Sequence, residues 1–344
     1  MTQRFLAADI GATKTLIGIF HADRDSLVAG ESLRIDNADH AGLAAMLDSF
    51  LARSPAAPED AACIAFPGPV LIGRAVGTNI AWSADSAELS ASLDTPHVRV
   101  VNDLEAAARG MLLLPDTAFV QLNVPAAPAA TGNAAVLSVG TGLGEALLYW
   151  DGQGYRAIAS EGSHADFAPQ SDLEIALLRH MRGRLGGHVS WERVAAGPGL
   201  VEIYRFLRLD AAPEPHWLAR DLASRDPAAA VSEAALQGRD PVCRDAVALF
   251  ARLLGAEAGN LALKGLAVGG VYVCGGVPPQ ILPVLQGGAF MAGFVDKGRF
   301  APLLREIPVK VALDVGAGLL GAARIAAEMA ATGTPGGCGS GPGS

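Results

Sequence analysis

Short apolar runs that stop on small or polar residues recur along the chain. Their length and their β-branched content predict buried strands. These runs are Arg4–Asp9, Leu16–Phe20, Ala61–Phe66, Val98–Val101, Ala134–Val139, Glu145–Trp150 and Gly270–Cys274. Segments with helical character lie at 42–53, 172–184, 199–209 and 240–264. Strands that alternate with helices predict a protein of the α/β class.

Two segments repeat one pattern of an apolar strand, a small-residue turn with a threonine, and a second apolar strand. The first turn is Gly11-Ala12-Thr13 and the second is Gly140-Thr141-Gly142. Glycine lets a backbone approach an anion closely, so the amides of such a turn can face a phosphate. Taken alone, the first turn is more typical of an ordinary hairpin. The pair predicts two related lobes, each presenting a phosphate-facing turn to one cleft.

Chain length predicts two domains, because 344 residues exceed one typical hydrophobic core. We expect a small α/β domain at 1–105, completed by a C-terminal helix at about 315–330, and a large α/β domain at 106–314. The glycine-rich segment 332–344 cannot bury a core and is predicted to be disordered.

Composition and charge restrict the class of protein. A net charge of −9 argues against a nucleic-acid partner. The four cysteines are far apart, which favours a reduced cytoplasmic protein over a disulfide framework or a zinc site. Asp9 and Lys14 interrupt the first apolar run, so no signal peptide is expected. No uninterrupted apolar run is long enough to span a membrane, so we expect no membrane partner.

Asn102 and Asp103 end the strand that begins at Val98, and an alanine-rich helical segment follows at once. One interpretation is a helix N-cap, for which Asn and Asp are preferred residues. The other places Asp103 at the carboxyl end of a parallel strand, where open α/β sheets bind ligands. A carboxylate there can accept the proton of a substrate hydroxyl, while Asn102 holds a neighbouring hydroxyl. Taken alone, the stretch favours the cap.

Several other polar or glycine positions allow both a structural and a binding role. Glu161 and His164 lie in a polar, turn-like segment that could be a solvated loop or could bind a polyhydroxylated ligand. Glu192 follows the potential cap Ser190, where compensation of the helix dipole also explains it. Gly275 and Gly276 follow a strand and suit either a tight turn or a flat ligand such as adenine.

Two nucleotide-binding motifs can be excluded. Residues 316–321 match the G-x-G-x-x-G pattern of dinucleotide-binding folds, but no strand and acidic residue follow at the required distance. This argues against a dehydrogenase and favours close helix packing as the role of those glycines. No G-x-x-x-x-G-K-[ST] motif is present, which excludes a P-loop kinase.

A set of motifs in fixed order, from about Leu6 to Arg324, resembles the bacterial glucokinases of the sugar-kinase/actin superfamily. The motifs are Asp9-Ile10-Gly11-Ala12-Thr13, Thr78-Asn79 with Trp82, Val101-Asn102-Asp103, Gly140–Gly144, Glu161–Pro169, Gly187–Val194, Gly197–Leu200 and Asp296–Phe300. Each is weak alone, but their order and spacing are specific.

The resemblance implies a two-domain actin/hexokinase-like (ribonuclease-H-like) fold with a central cleft. It implies ATP-dependent phosphorylation of glucose at the 6-hydroxyl, the first step of glycolysis, by a cytoplasmic homodimer. Asp103 would be the base, and the sugar would be held by Asn102, Glu161, His164, Glu192 and Asn79. The ATP phosphates would lie at the turns Gly11, Ala12, Thr13 and Gly140, Thr141, Gly142. Gly275 and Gly276 would contact the adenosine, and Asp9 would orient Mg²⁺, through water.

Departures from the family pattern leave some alternatives open. Ala12 stands where the family usually has a second glycine, which costs about 1 kcal/mol if that position needs a positive φ. Ser160 and Ser163 replace glycines beside Glu161, so another hexose such as mannose, fructose or an amino sugar is an alternative substrate. A different phosphoryl donor is also possible. A transcriptional regulator of related fold would need a helix-turn-helix before Asp9, where only eight residues stand.

Overall fold

The computed structural model describes residues 3–23, 26–53, 60–77, 80–126, 130–313 and 316–332. Within them the chain forms two compact units, Met1–Leu114 with Gly316–Ser344, and Pro115–Val315. The first unit runs to Leu114, and the helix that starts at Asp103 packs mainly against the final helix of that unit.

The first unit is built on a five-stranded sheet in the order β3-β2-β1-β4-β8. Strands β1 to β3 form an antiparallel meander, whereas β1, β4 and β8 are parallel. A smaller sheet has the order β5-β6-β7. The strands of this unit are β1 Arg4–Ile10, β2 Lys14–Asp23, β3 Ser26–Asp36, β4 Ala61–Phe66, β5 Val70–Leu71, β6 Arg74–Val76, β7 Ser83–Asp85 and β8 Val98–Asn102.

Helices cover the parallel part of this sheet. They are α1 Leu43–Leu51, α2 Ser86–Ser92, α3 Asp103–Met111 and, numbered in chain order, the final helix α14 Ala317–Thr332, with a 3-10 turn at Asn37–Asp39. Glycines let α14 and α3 approach closely, because a Cβ on Gly321 would overlap the carbonyl oxygen of Ala106. This bears out close helix packing as the role of Gly321. The predicted C-terminal tail lies outside the described residues, apart from Thr332, which ends α14.

The second unit repeats the topology of the first. Its sheet has the order β12-β11-β10-β13-β14-β9, with an antiparallel meander from β10 to β12 and parallel pairing of β10, β13 and β14. The strands are β9 Phe119–Gln121, β10 Ala134–Val139, β11 Leu143–Trp150, β12 Tyr155–Ser160, β13 Gly270–Cys274 and β14 Val309–Ala312. Strands β9, β12 and β14 were not predicted from the sequence, whereas the matching meanders agree with the predicted repeat.

Helices surround one long buried helix in the second unit. They are α4 Asp172–Leu185, α5 Trp191–Ala195, α6 Gly197–Arg208, α7 His216–Ser224, α8 Pro227–Leu236, α9 Pro241–Gly265, α10 Val277–Gln280, α11 Leu282–Gln286, α12 Ala289–Val295 and α13 Ala301–Arg305, with 3-10 turns at Asp116–Ala118, Gly162–His164 and Gly298–Phe300. By length and composition α9 could cross a membrane, but 72% of its apolar window is buried inside the unit. It is therefore the core helix against which the sheet and the neighbouring helices pack.

Candidate functional site

The turn between β1 and β2 is tight and presents its backbone to solvent. The amide of Gly11 donates to the carbonyl oxygen of Lys14 over 2.9 Å, and a Cβ on Gly11 would lie 2.7 Å from that oxygen. Ala12 and Thr13 are exposed, and within the described residues their amides form no hydrogen bond. Two unpaired amides at one turn suit an anion such as a phosphate.

The position of Ala12 needs no glycine. Positive φ values among the described non-glycine residues occur only at Ile72, Asp94 and Leu266. The backbone strain considered for Ala12 therefore does not arise.

Asn37, which sequence analysis did not single out, holds this turn in place. Its Nδ2 donates to the carbonyl oxygen of Gly11 over 2.8 Å, and its Oδ1 accepts from the hydroxyl of Thr15 over 2.8 Å. Its own amide donates to the carbonyl oxygen of Thr13 over 2.9 Å. Asn37 is 22 residues beyond Thr15 in the chain, so only the pairing of β2 with β3 reveals the contact.

Asp9 lies one residue before the end of β1, close to Asp103 and against the first turn of α14. A Cβ on Gly318 would overlap the carboxyl group of Asp9. Burial, and secondarily the negative charge of Asp103, raise the pKa of Asp9 to about 7. Two carboxyl groups that disfavour each other's ionisation are an arrangement that a divalent cation stabilises.

Asn102 ends β8 and Asp103 follows it, at the sheet edge where β1 and β4 also end. Asn102 is the N-cap of α3, since its Oδ1 accepts from the amides of Leu104 (2.9 Å) and Glu105 (3.3 Å). Its Nδ2 donates to the carbonyl oxygen of Gly68 over 3.0 Å. The cap interpretation is thus correct for Asn102.

Asp103 is the first residue of α3 and is only partly buried. One of its oxygens, Oδ1, accepts from the amide of Leu104 over 2.8 Å. Because Asn102 supplies the cap, Asp103 is not needed to begin the helix. Its carboxyl group therefore sits at the edge of the sheet with Asp9 and the Gly11–Thr13 turn.

The second small-residue turn joins β10 to β11 and lies beside the start of α6. The amide of Gly140 donates to the carbonyl oxygen of Gly142 over 2.9 Å. The amide of Gly197 donates to the carbonyl oxygen of Gly140 over 2.8 Å. Thr141 is exposed, and a Cβ on Gly140 would meet open space. This turn resembles the Gly11–Thr13 turn in connecting two antiparallel strands at the start of a meander.

Glu192 contacts this second turn directly. Its Oε2 accepts from the amide of Leu143 over 3.2 Å, and a Cβ on Gly142 would lie 2.8 Å from the same oxygen. Glu192 is half-buried in the first turn of α5. The sequence predicted a first-turn carboxylate there but not its bond to the turn after β10.

Glu161 precedes the short 3-10 turn that follows β12, and His164 is the last residue of that turn. Both side chains are more than half exposed, and His164 Nε2 lies 3.7 Å from Glu161 Oε2. The loop is tied to α5 by the amide of Trp191, which donates to the carbonyl oxygen of Ala165 over 3.0 Å. Glu161, His164 and Glu192 are therefore carried by directly connected segments of one unit. Asn79 lies outside the described residues.

Ser160 and Ser163 stabilise this turn from within. The hydroxyl of Ser160 accepts from the amide of Gly162 over 2.9 Å, and Ser163 is buried. The hydroxyl of Ser160 thus supports the backbone that follows Glu161.

A cavity of about 600 Å³ opens beside the second turn, entirely within the second unit. It is lined by Gly140, Thr141, Glu192, Gly276, Val277 and Gln280, together with residues of α4, α6 and α8. Gly276 faces open space, whereas Gly275 has φ +94° and a Cβ there would lie 2.7 Å from the amide of Val139. Gly276 therefore borders the cavity, and Gly275 is required by strand packing. A cavity of this size holds a nucleoside-sized ligand.

The oxygen donors near β1 fit a magnesium ion better than a transition metal. The described residues contain no group of three or more His, Cys, Asp or Glu side chains arranged to hold a metal. Asp9 and Asp103 offer two carboxylates, and Mg²⁺ typically binds through one or two carboxylates, water and substrate phosphates. The residues present therefore fit Mg²⁺.

The family model that matches this chain is Glucokinase, over residues 6–329. A glucokinase of Nostoc punctiforme is 38% identical over 340 residues, covering 94% of this chain and 99% of the relative. A glucokinase of Synechocystis is 39% identical over 356 residues, covering 95% and 99%.

Solved structures show the same fold. A glucokinase from an Antarctic psychrotroph matches with a TM-score of 0.82 and 29% identity, covering 95% of this chain and 99% of that one. A glucokinase from Balamuthia mandrillaris in complex with glucose matches with a TM-score of 0.80 and 24% identity, covering 95% and 94%. These matches confirm the actin/hexokinase-like fold class.

Proposed function

This chain belongs to the glucokinase family, and from that premise we propose that it transfers the γ-phosphoryl group of ATP to the 6-hydroxyl of glucose. The products are glucose 6-phosphate and ADP. The observation that carries the residue assignment is the position of Asp103, at the carboxyl end of β8 and beside Asp9. Open α/β sheets bind ligands at that edge.

Asp103 acts as the base. Its carboxylate accepts the proton of the 6-hydroxyl as the oxygen attacks the γ-phosphorus, and the bond from that phosphorus to the β,γ-bridging oxygen breaks. Asn102 supports the base by fixing the start of α3, and one of its two Nδ2 protons is used on Gly68. The other proton can be donated to a sugar hydroxyl.

Glu161, His164 and Glu192 hold the remaining hydroxyl groups of the sugar. A carboxylate accepts two hydroxyl protons and an imidazole adds one hydrogen bond, which suits a polyhydroxylated ring. Asn79 remains a further proposed sugar contact. Glu192 also touches Leu143 and Gly142, so it links the sugar to the turn that faces the nucleotide.

The two small-residue turns bind the phosphates of ATP. Unpaired amides at Ala12 and Thr13 donate to phosphate oxygens, as does the exposed turn at Thr141. The adenosine occupies the cavity beside Gly276, where its base packs against α4, α6 and α8. Phosphoryl transfer depends mainly on positioning and on neutralising charge, and these groups supply both.

Asp9 would hold Mg²⁺ through water, beside the base Asp103. When bound, Mg²⁺ neutralises charge on the β- and γ-phosphates. The protein acts in the cytoplasm as a homodimer, which size-exclusion chromatography with light scattering tests directly.

A panel of sugars tests the proposed substrate. ADP release is measured with glucose, mannose, fructose, glucosamine and N-acetylglucosamine at equal concentrations. Glucose should give the highest kcat/KM. A higher value with another sugar would transfer the assignment to that hexose, and Ser160 and Ser163 would be the first residues to exchange.

A further inference from the structure

Two glutamates with no part in the proposed chemistry lie buried together in the second unit. Glu145 is on β11 and Glu257 is on α9, and both residues are 0% exposed. Within the described residues, neither oxygen of Glu145 nor Oε1 of Glu257 has an ordinary hydrogen-bond partner. Oε2 of Glu257 accepts from Nδ2 of Asn260 over 2.8 Å. Buried carboxyl oxygens are normally satisfied, so this arrangement requires an explanation.

A shared proton provides the explanation. The two carboxyl groups interact directly, and ionised carboxylates only accept hydrogen bonds, so a bond between them requires a proton on one. Burial, and then the charge of Glu257, raise the pKa of Glu145 to about 8. Burial also raises the pKa of Glu257, although Asn260, Lys264 and Lys297 oppose it. At neutral pH Glu145 therefore keeps its proton and can donate it in a hydrogen bond to Glu257.

Two lysines favour the ionised form of Glu257. Nζ of Lys264 lies 3.7 Å from Oε1 of Glu257, near the end of α9, and Lys297 acts on Glu257 from the segment after α12. Glu161, just before the 3-10 turn, and His164, its last residue, are the titratable residues of the loop beside Glu145. Ionising both carboxyl groups would be costly, because both are buried.

Glu145 supports the backbone of the loop that carries Glu161 and His164. It pairs with Ser160 across the β11–β12 ladder. A Cβ on Gly162 would lie 2.5 Å from Oε2 of Glu145, so the carboxyl group rests directly against the turn. Any movement of this carboxyl group must displace the turn.

We infer that Glu145 and Glu257 share one proton and that the protonated pair positions the Glu161–His164 loop for sugar binding. Both are positioning residues, and the inference rests on the proposed function for the identity of the sugar. When the pair loses its proton, repulsion between the two carboxylates pushes Glu145 against Gly162 and shifts the loop. Sugar affinity then falls, while nucleotide affinity does not.

Glucose binding across pH tests the effect on the loop. Isothermal titration without nucleotide is carried out between neutral pH and about pH 9.5, with a non-hydrolysable ATP analogue titrated in parallel. The wild-type dissociation constant for glucose should rise by up to about tenfold per pH unit above the midpoint, because binding then takes up one proton. The dissociation constant for the ATP analogue should not follow this curve.

Three variants test whether Glu145 and Glu257 cause the pH dependence of glucose binding. Glu145→Gln keeps the shape of the side chain and cannot ionise, so the alkaline loss should be abolished. Lys264→Gln removes a positive charge from an exposed position and should shift the midpoint to higher pH. Glu88→Gln, an exposed glutamate of the other unit, should leave the curve unchanged. An unchanged curve in both Glu145→Gln and Lys264→Gln would overturn the inference.

A direct observation of the proton does not depend on the sugar. Infrared difference spectroscopy of wild type against the double variant Glu145→Gln, Glu257→Gln, in which Asp9 contributes equally to both proteins, should show a protonated-carboxyl band at neutral pH that disappears at alkaline pH. Absence of that band would overturn the shared proton even if glucose binds normally. If the band is present but glucose neither binds nor turns over at neutral pH, the proposed function fails and the positioning inference fails with it.

Two glycine variants test the contact between Glu145 and the loop at Gly162. Gly162→Ala adds a Cβ against Glu145 and should raise the dissociation constant for glucose. Gly154→Ala, on the preceding turn of the same meander, adds a Cβ in open space and should have no effect. Equal effects of the two variants would contradict the role of Glu145 in supporting the loop.

Discussion

At the scale of single residues, Asn102 and Asp103 are adjacent but have different roles. The amide side chain of Asn102 caps α3 and anchors Gly68, while the carboxyl group of Asp103 remains at the sheet edge near Asp9. A cap and a base can therefore occupy consecutive positions without competing. The same separation holds for Gly275 and Gly276, of which only the second borders the cavity.

Replacement of the base should abolish turnover without loss of sugar binding. Asp103→Asn keeps the shape of the side chain but cannot accept the hydroxyl proton, so kcat should fall by about 10²–10⁴-fold. The dissociation constant for glucose, measured by titration, should change little. As a control, Asn102→Ala should lower the free energy of unfolding by about 1 kcal/mol through loss of the cap. Near-native kcat in Asp103→Asn would assign the residue to the helix start alone.

Removal of the proposed sugar contacts should weaken the binding of glucose and leave the binding of ATP nearly unchanged. Glu161→Gln and His164→Ala should each raise the KM for glucose by about tenfold or more, as expected for a hydrogen bond to a charged group. The KM for ATP should change far less, because neither residue lines the cavity. Asp166→Asn, an exposed neighbour on the same loop, is the matched control. Equal changes in both KM values would remove the loop from the sugar site.

At the scale of secondary structure, glycines determine how closely elements pack. Gly321 allows α14 to lie against Ala106 of α3, and Gly318 allows it to lie against Asp9. The packing of α14 therefore connects the last helix to the proposed metal-binding carboxylate.

A side chain at Gly321, where α14 contacts Ala106 of α3, should destabilise the first unit. Gly321→Ala introduces a backbone clash and should cost about 1–3 kcal/mol in the free energy of unfolding. Gly183→Ala on α4 adds a Cβ in open space and should instead stabilise by about 0.5–1 kcal/mol, because alanine is the better helix former. Chemical denaturation of both variants measures the difference. A neutral Gly321→Ala would show that α14 can move away without cost.

Sequence pattern predicted the elements that are buried and regular, and missed those that are short or exposed. Ala61–Phe66 and Ala134–Val139 are continuous apolar strands, so their ends could be placed to the residue. Strand β12 has largely exposed residues, and β9 has only three, so neither carries an apolar pattern. The bonds of Asn37 to Gly11 and Thr15, and of Glu192 to Leu143, depend on how distant segments pair. No local signal could reveal them.

At the scale of the whole molecule, the chain uses one α/β plan twice. Each unit begins with an antiparallel meander whose first turn is small and exposed, followed by parallel strands. The two plans diverge behind the sheet: the second unit adds the long helix α9, and with it the buried Glu257. The carboxyl pair is thus a feature of the second unit alone.

The carboxyl pair should make the stability of the protein depend on pH. Glu145 retains its proton in the folded state up to about pH 8, whereas the unfolded chain releases it near 4.5. The folded state then binds more protons, so the free energy of unfolding should decrease as pH rises through this range. Asp9 acts in the same direction up to about pH 7.

Thermal unfolding of wild type and Glu145→Gln from pH 5 to pH 9 isolates the contribution of the pair. The decline should be smaller in the variant, because it lacks the ionisable group and keeps Asp9. Parallel curves for the two proteins would show that the pair titrates alike in the folded and unfolded states.

The central claim is that this chain phosphorylates the 6-hydroxyl of glucose. Phosphorus and carbon NMR of the reaction of the purified protein with glucose, ATP and Mg²⁺ identify the hydroxyl that is modified. The account predicts a single sugar product, glucose 6-phosphate, formed together with an equal amount of ADP. A phosphate on any other hydroxyl, or cleavage of ATP without a phosphorylated sugar, would contradict it.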